Sequence, residues 1–369
     1  MTGFAGDFDV AVIGAGMAGA SLAAECAPHA RVLLVEAEDT PGYHTTGRSA
    51  AFWEETYGGP GVVPLTMASG RFLREGGYLS PRGALNIGQA ADRDKVEAFA
   101  ETFTALGATL HLQDRAAIAA RVPGLRPDWV IGVWEPECAD IDVAGLHQHY
   151  LAASKRTGSV LRVRARVEQI EREGEGWRIG WRGGEARVAM IANAAGAWAD
   201  GLATLAGAAP LGIQPLRRTI VQVRTDPAPP EDLPLVLGIN EDFYFKPQGG
   251  RLWLSPHDEI PDVAGDAAPE ELDVAIAIDR FEHVVDWQIA AVERRWAGLR
   301  SFAPDRLPVY GFDPAVPGLF WFAGQGGFGI QTAPAAARLA AQLLLGLPRD
   351  GLTAEIDAAV YAPARFAAG

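Results

Sequence analysis

FDVAVIGAGMAGASLAAECAPHARVLLVEAE, Phe8 to Glu38, decides the fold. The apolar run Val10–Ile13 feeds Gly14, Gly16 and Gly19. An alanine-rich stretch of helical character follows, then a second apolar run, Val32–Val35, that ends at Glu36. The order reads strand, tight turn, helix, strand. Gly14 permits the turn, Gly16 lets backbone approach a pyrophosphate, and Gly19 lets the helix pack close to the strand. The phosphates would rest on the helix N-terminus, where unpaired N–H groups and the dipole favour anions. Glu36, about twenty residues beyond the first glycine, is placed to accept from a ribose hydroxyl, and an acid there argues against the 2′-phosphate of NADP. A glycine triplet alone fits any glycine-rich α/β turn. Flanked by both strands, the helix and the acid, it predicts a dinucleotide site.

Outward from that unit, 369 residues leave room for two domains with their own cores. The net charge of −14 repels nucleic acid, and no basic stripe interrupts it. Two cysteines, Cys26 and Cys138, exclude a disulfide scaffold, and no CxxC or metal-ligand cluster occurs. Cys26 is expected to pack inside the first helix. The N-terminus lacks a basic region followed by an apolar core, and no apolar segment reaches membrane-spanning length. The expectation is a cytoplasmic protein with at most peripheral membrane contact.

PGYHTTGRSAAFWEETYGG, Pro41 to Gly59, is turn-rich and enters a helix near Ser49. Val62 to Ala120 reads as helices, with YLSPRGALNIG as the loop between them, and Ala144–Thr157 as a further helix. VLRVRARVEQIERE, GWRIGW and ARVAMIANAAGAW alternate with the period of strands. In ANAAGAWAD the last strand ends in small residues that let backbone approach a ligand or helix. From Pro215 the character changes. RRTIVQVRT, LVLGINEDFYFKP and RLWLSPH predict a second sheet with a hairpin turn at Gln248–Gly250, and four prolines from Pro227 to Pro234 mark an exposed loop. Pro269–Ala291 predicts an amphipathic helix, followed by the strand LFWFAG, the run GQGGFGIQ and an alanine-rich helix to about Leu345. The predicted class is α/β with an α+β substrate domain. A Rossmann-like nucleotide domain comes from residues 1–80, 141–214 and 303–369, interleaved with an antiparallel-sheet substrate domain from 81–140 and 215–302.

VIGAGMAGAS, PGYHTTGRSAA, ADIDVAGLHQHYL, ANAAGAWAD, QPLRR, FYFKP, WAGLRSF and GQGGFGIQT occur in one order over nearly the whole chain. In this the chain resembles the FAD-dependent D-amino-acid oxidase and dehydrogenase superfamily, and within it the bacterial D-arginine dehydrogenases. The resemblance implies non-covalent FAD, a flavin domain, and a substrate sheet that roofs the isoalloxazine. It implies hydride transfer from the Cα of an amino acid to flavin N5, giving an imino acid that hydrolyses to a 2-oxo acid and ammonia. The electron acceptor stays open among a quinone, a carrier and oxygen.

By motif position, Arg218 and Arg300 would clamp the carboxylate with their guanidinium forks. Strand alternation turns only one of Arg217 and Arg218 inward, and the resemblance selects Arg218. Tyr244 and Tyr57 would add hydroxyl contacts, and the carbonyl around Gly327 would receive the amine. For FAD the resemblance implies Gly14, Gly16, Gly19, Glu36 and Ala37 from the first unit. From the GYHTTGRSAA run it implies His44, Thr45, Thr46, Arg48, Ser49 and Ala50, with His44 as a hydrogen-bonding loop residue rather than a flavin link. Val167, Ala195, Gly196 and Trp198 follow, and then Gly324, Gly326, Gly327, Phe328, Gly329, Ile330 and Gln331. The helix after this last run would point its positive end at the N1–C2=O edge of the flavin. Trp53, Trp198 and Trp296 read chiefly as packing residues.

Two positions depart from the arginine enzymes. Their histidine after the GRSAA run is Phe52 here, and the acid that grips the guanidinium falls at Ala84. The site should therefore be more apolar. Glu54 and Glu55 read as solvated acids near a helix start, the alternative being that one receives a cationic side chain. No residue is an evident general base, which leaves amine deprotonation to water, a tyrosine or another group. The leading expectation is an enzyme for D-amino acids with apolar or varied side chains. The alternatives are an oxidase of glycine, sarcosine or another secondary amine, a 2-hydroxy-acid dehydrogenase, an NAD enzyme, and a flavin-binding module without turnover.

Overall fold

The computed structural model describes residues 7–366. Phe8–Ile13 lies within a parallel ladder whose order is Val160–Arg162, Val32–Val35, Phe8–Ile13, Gly184–Asn193, Leu319–Ala323. Val309–Phe312 pairs antiparallel with Leu319–Ala323, and the hairpin Val167–Glu173 and Gly176–Trp181 pairs antiparallel with the first half of Gly184–Asn193, for eight strands. Every residue of Val32–Val35 is buried, because both faces of the sheet are covered. Alternation divides the apolar side chains between the faces. Val10, Val12 and Leu34 pack with the helices Met17–Cys26 and Ala333–Leu345, whereas Ala11, Ile13, Leu33 and Val35 pack with Ile179, Val188 and the helix Ala199–Leu205. Cys26 is fully buried in the first of these layers, as expected, and burial pushes its thiol pKa up. The helix Ala333–Leu345 carries Pro334 in its first turn and stops at Gly346, which takes a left-handed φ of 65°.

The second sheet has ten strands. Its order is Gln325–Gly326, Gln288–Phe302, Gln214–Asp226, Arg251–Ser255, Tyr244–Gln248, Leu235–Gly238, Ala84–Gln89, Trp129–Glu135, His111–Asp114, with Ile260–Pro261 also on Gln214–Asp226. The hairpin at Gln248–Gly250 forms where the sequence placed it. One face packs Leu85, Ile87, Val221, Val223 and Phe245 against Val274, Ala277 and Phe281 of the helix Glu271–Glu282. A small sheet of Phe52–Trp53, Ala139–Ile141 and Leu79–Pro81 completes the strands.

Three expectations fail, each for a local reason. YLSPRGALNIG is not a loop, because Leu79–Pro81 and Ala84–Gln89 are strands and Ala84–Gly88 is buried throughout. Leu85 and Ile87 alternate with Asn86 and Gly88 over only a few residues, and the turn residues Ser80, Pro81 and Gly83 just before them mask the strand. No α-helix begins at Ser49; a 3₁₀ turn at Thr45–Arg48 is followed by the strand Phe52–Trp53. The helix expected to reach Ala291 ends at Glu282, and the 15-residue strand Gln288–Phe302 follows it. Its first half is largely exposed and carries Glu293, Arg294 and Arg295, so its polarity resembles that of the preceding helix.

Among the described residues, no helix is long and apolar enough to cross a membrane, and no group of three or more His, Cys, Asp or Glu side chains could hold a metal ion.

Candidate active site

A cavity of about 440 Å³ opens at the carboxyl ends of the parallel strands and reaches the strand Gln288–Phe302 of the other sheet. It lies where Phe8–Ile13 meets neighbours whose connections run to opposite sides, the usual ligand crevice of an open parallel sheet. Gly14 turns the chain with φ 102°, and a Cβ there would lie 2.4 Å from the Ala194 oxygen. A Cβ on Gly19 would lie 1.7 Å from the Gly14 oxygen, so only glycine lets the helix sit against the turn. The helix has no side-chain cap of its own. Thr46, brought in from the GYHTTGRS run, accepts from the Met17 N–H at 2.9 Å. His147 of the helix Val143–Arg156 donates from Nε2 to the Ala15 carbonyl at 2.9 Å, and burial lowers its pKa. Neither brace is visible in the sequence, since each needs two distant segments to meet.

Glu36 lines the cavity. Its Oε2 accepts from the Ala15 N–H (2.8 Å) and its Oε1 from the Glu38 N–H (2.9 Å). Each oxygen keeps a further lone pair for a ribose hydroxyl. Gly14, Gly16, Ala37, His44, Thr45, Thr46, Arg48, Ser49, Val167, Ala195, Gly196, Trp198, Gly326, Gly327, Gly329 and Ile330 also line the cavity. His44 bonds the Glu38 carboxylate at 3.0 Å and packs against Trp198. Five residues expected around FAD lie off the wall. Gly19 is used up in helix packing, and Gly324 is not on the lining. Ala50 is buried with Phe52 and Tyr244, and Phe328 with Phe302 and Val62. Gln331 is buried behind the glycine run.

Sheet register builds the other end. Gln214–Asp226 and Gln288–Phe302 run antiparallel with Leu216 opposite Arg300 and Arg218 opposite Gly298. Arg218 and Arg300 are therefore diagonal neighbours on one face, and Arg217 turns to the other, where it meets Glu270 (2.7 Å) and Asp273 (3.1 Å). Arg300 lines the cavity; Arg218 is buried behind it and donates to the Asp258 carbonyl (2.7 Å) and the Glu259 carboxylate (3.1 Å). Burial, then the like charge of Arg300, lowers the Arg218 pKa. The glycine run GQGGFG is stitched to the same strand, with Gln325 opposite Phe302 and Gly326 opposite Ser301. Gly327 thereby reaches Arg300 and Tyr57. A Cβ on it would lie 2.0 Å from the Tyr57 hydroxyl and 3.0 Å from the Arg300 Nε, so this glycine makes room for side chains. Tyr244 is buried, with Phe52 6.0 Å from it and 5.6 Å from Tyr57 between ring centres. Among the described residues, the Arg300 Nε and Arg218 Nη1 are buried without a hydrogen-bond partner.

Sequence reasoning missed His257. It holds a left-handed φ of 51°, its Nδ1 donates to the Glu241 carbonyl, and its ring meets Tyr244 edge-on at 5.7 Å. Burial, then Arg218, pushes its pKa down to about 3, so the imidazole is neutral. A histidine just after a strand end was the only available signal. Glu54 and Glu55 are not solvated; they are 2 % and 4 % exposed. Burial raises Glu54 to about 7, and burial, then the charge of Glu54, raises Glu135 well above its ordinary value. The Thr56 hydroxyl lies between the two acids.

The glycine turn, the acid at its edge and the unmatched polar atoms at the far end fit a flavin dinucleotide with a polar ligand beside it. The sequence pattern of the FAD dependent oxidoreductase family, DAO, matches residues 9–343. The chain belongs to that family. Its cofactor is FAD. A glycine oxidase of Geobacillus kaustophilus is 24% identical over 355 residues, 91% of this chain and 93% of that protein. The crystal structure of glycine oxidase from that species superposes with a TM-score of 0.82 at 23% identity, over 97% of this chain and 98% of that one. L-Proline dehydrogenase from P. horikoshii superposes with a TM-score of 0.84 at 20% identity, over 97% of both chains. The bifunctional protein ThiO/ThiG of Nostoc sp. is 28% identical over 244 residues, 65% of this chain; the match spans 36% of that protein, about a third of its length.

Proposed function

We propose that this family member oxidatively deaminates D-amino acids with apolar side chains. One observation carries the reading: Arg300, Arg218, Tyr57 and Tyr244, from four separate stretches of chain, converge beside Gly327 at one end of the cofactor cavity. Bound FAD would supply the acceptor for the hydride on the substrate Cα. The chain supplies orientation. Arg300 pairs with the carboxylate through a charge-assisted fork, and the Tyr57 hydroxyl beside it donates to the same group. Arg218 adds positive charge from behind, and its unmatched Nη1 is the group a carboxylate would satisfy. The Gly327 carbonyl accepts from the amine, which fixes the direction of the Cα–H bond. His257, being neutral, adds no further charge to the wall. On this reading residues 1–80, 141–214 and 303–369 hold the cofactor, and 81–140 and 215–302 present the substrate.

Side-chain preference follows from the wall. Ala84, where the arginine dehydrogenases have their acid, is buried with Phe52, Leu235, Leu237 and Tyr244. The buried acid across the strand from Ala84, Glu135, is already held by the Glu55 N–H and the Thr56 hydroxyl, and burial raises its pKa well above the ordinary value, so a guanidinium there would lack an ionised partner and D-arginine is disfavoured despite the resemblance. Phe52 also narrows the space between Tyr57 and Tyr244, which favours glycine as a second reading, in line with the glycine oxidase relative.

Anaerobic mixing of the holoprotein with D-leucine, D-methionine, D-arginine, glycine, sarcosine and L-lactate tests this. Bleaching of the flavin by the apolar D-amino acids is the expected result. Bleaching by glycine or sarcosine alone would shift the assignment to the second reading, and bleaching by L-lactate alone would refute an amine substrate. Reoxidation by oxygen or by a quinone then separates oxidase from dehydrogenase.

A further inference from the structure

The segment that delivers Tyr57 forms no ladder of its own beyond Trp53, and side chains from elsewhere satisfy its backbone. Gln331 follows the cavity-lining run and is 2 % exposed. Its Oε1 accepts from the Glu54 N–H at 3.1 Å, and its Nε2 donates to the Tyr57 carbonyl at 3.2 Å and the Thr66 hydroxyl at 2.9 Å. From the opposite side Glu135, on a strand of the substrate sheet, accepts from the Glu55 N–H at 2.5 Å and the Thr56 hydroxyl at 2.9 Å. The Trp53 indole donates to the Thr66 carbonyl at 3.1 Å. The glycine run thus meets Tyr57 twice, at the backbone through Gln331 and at the hydroxyl through Gly327.

Only a primary amide of this length meets all three demands. Glu54 offers a donor and Tyr57 an acceptor, which fixes the amide orientation. A carboxylate would lose both donated bonds, and leucine would leave the Glu54 N–H and the Tyr57 carbonyl without those partners.

We propose that Gln331 is a positioning residue, which sets the Tyr57 hydroxyl against Arg300 and Gly327 and makes the glycine run and the tyrosine one body. Its consequence for ligand binding rests on the reading that Arg300 and Tyr57 hold a carboxylate; the brace does not depend on that reading.

The test uses the FAD-loaded protein with two readouts. Benzoate, a carboxylate without an amine, is titrated against the flavin absorbance, and 3-fluorotyrosine at position 57 is followed by ¹⁹F NMR. Gln331→Leu should keep wild-type flavin content, broaden or split the resonance, and weaken benzoate about tenfold. Tyr57→Phe should weaken benzoate by a similar factor, and the double variant should lose no more than either single one, since both act through one hydroxyl. Thr66→Val, which removes only one anchor of the amide, should give a smaller change of the same kind and serves if Gln331→Leu does not fold. An unchanged resonance in both variants, or losses that multiply in the double variant, would overturn the proposal. If the wild-type protein does not bind benzoate, the carboxylate reading falls, while the resonance still decides the brace.

Discussion

The two ends of the cavity are built by different means. The phosphate end is made of backbone. Gly14, Gly16, Ala194 and the start of one helix shape it, and Glu36, about twenty residues on, closes it. The end we propose for the substrate is made of side chains, with Arg300 and Arg218 set by sheet register, Tyr244 by a strand two places away, and Tyr57 by a segment without ladder bonds. A backbone site tolerates changes around it so long as its glycines stay. A side-chain site depends on distant strands keeping register, and its preferences can change without touching the cofactor. Phe52 and Ala84 are buried together with Tyr244 at that end.

The sharpest way to break that contrast is at Gly19. Gly19→Ala puts a methyl 1.7 Å from the Gly14 oxygen, where nothing flexible can yield. We expect a loss of about 3 kcal/mol or more and purification with little flavin, read by thermal unfolding and by flavin released on denaturation. Wild-type flavin content in this variant would mean that the phosphate end is not built on that turn. At the other end, Arg300→Ala should keep its flavin and lose roughly 100-fold in kcat/KM, about 3 kcal/mol of charge-assisted pairing. Flavin loss here would show that the two ends are not separable.

The buried acids behind the substrate end give a pH signature. Glu54 titrates near 7 when folded, against an ordinary value of 4.5, because burial penalises its charge. Between those values the folded protein binds more protons than the unfolded chain, so the Glu54 contribution makes stability fall as pH rises from 4.5 to 7 and level off above. Glu54→Gln removes that slope. Its unfolding temperature relative to wild type should be higher at pH 8 than at pH 5, by an amount equivalent to about 2 kcal/mol. Equal differences at both pH values would show that Glu54 is not held protonated. The smallest effect belongs to Tyr57→Phe, which removes one hydroxyl and should lower kcat/KM about tenfold with flavin content intact. A change above 100-fold would give the hydroxyl a role beyond orientation.

Legibility follows the same division. Val10–Ile13, Val32–Val35, the hairpin at Gln248–Gly250 and the alanine-rich C-terminal helix were readable because each carries its signal within a few residues. Ala84–Gln89 was hidden because its short alternation follows directly on the turn residues Ser80, Pro81 and Gly83. Glu54 and Glu55 were misread because charge alone argues for water. Glu135 and Thr109, which hold the Glu55 backbone and carboxylate inside the protein, are remote in the chain. The same holds for His147 and for Gln331, read as a flavin contact and found instead behind the loop.

Glycine spacing and apolar period are local quantities, so residues 8–38 alone dictate a strand, a turn and a helix able to bind a dinucleotide. Which arginine faces the cavity, which acid loses its charge and what holds Tyr57 depend on strands and loops that meet only after folding. Burial and hydrogen bonding depend on those neighbours in space, and their positions are set by sheet register and packing, which no short stretch of sequence contains.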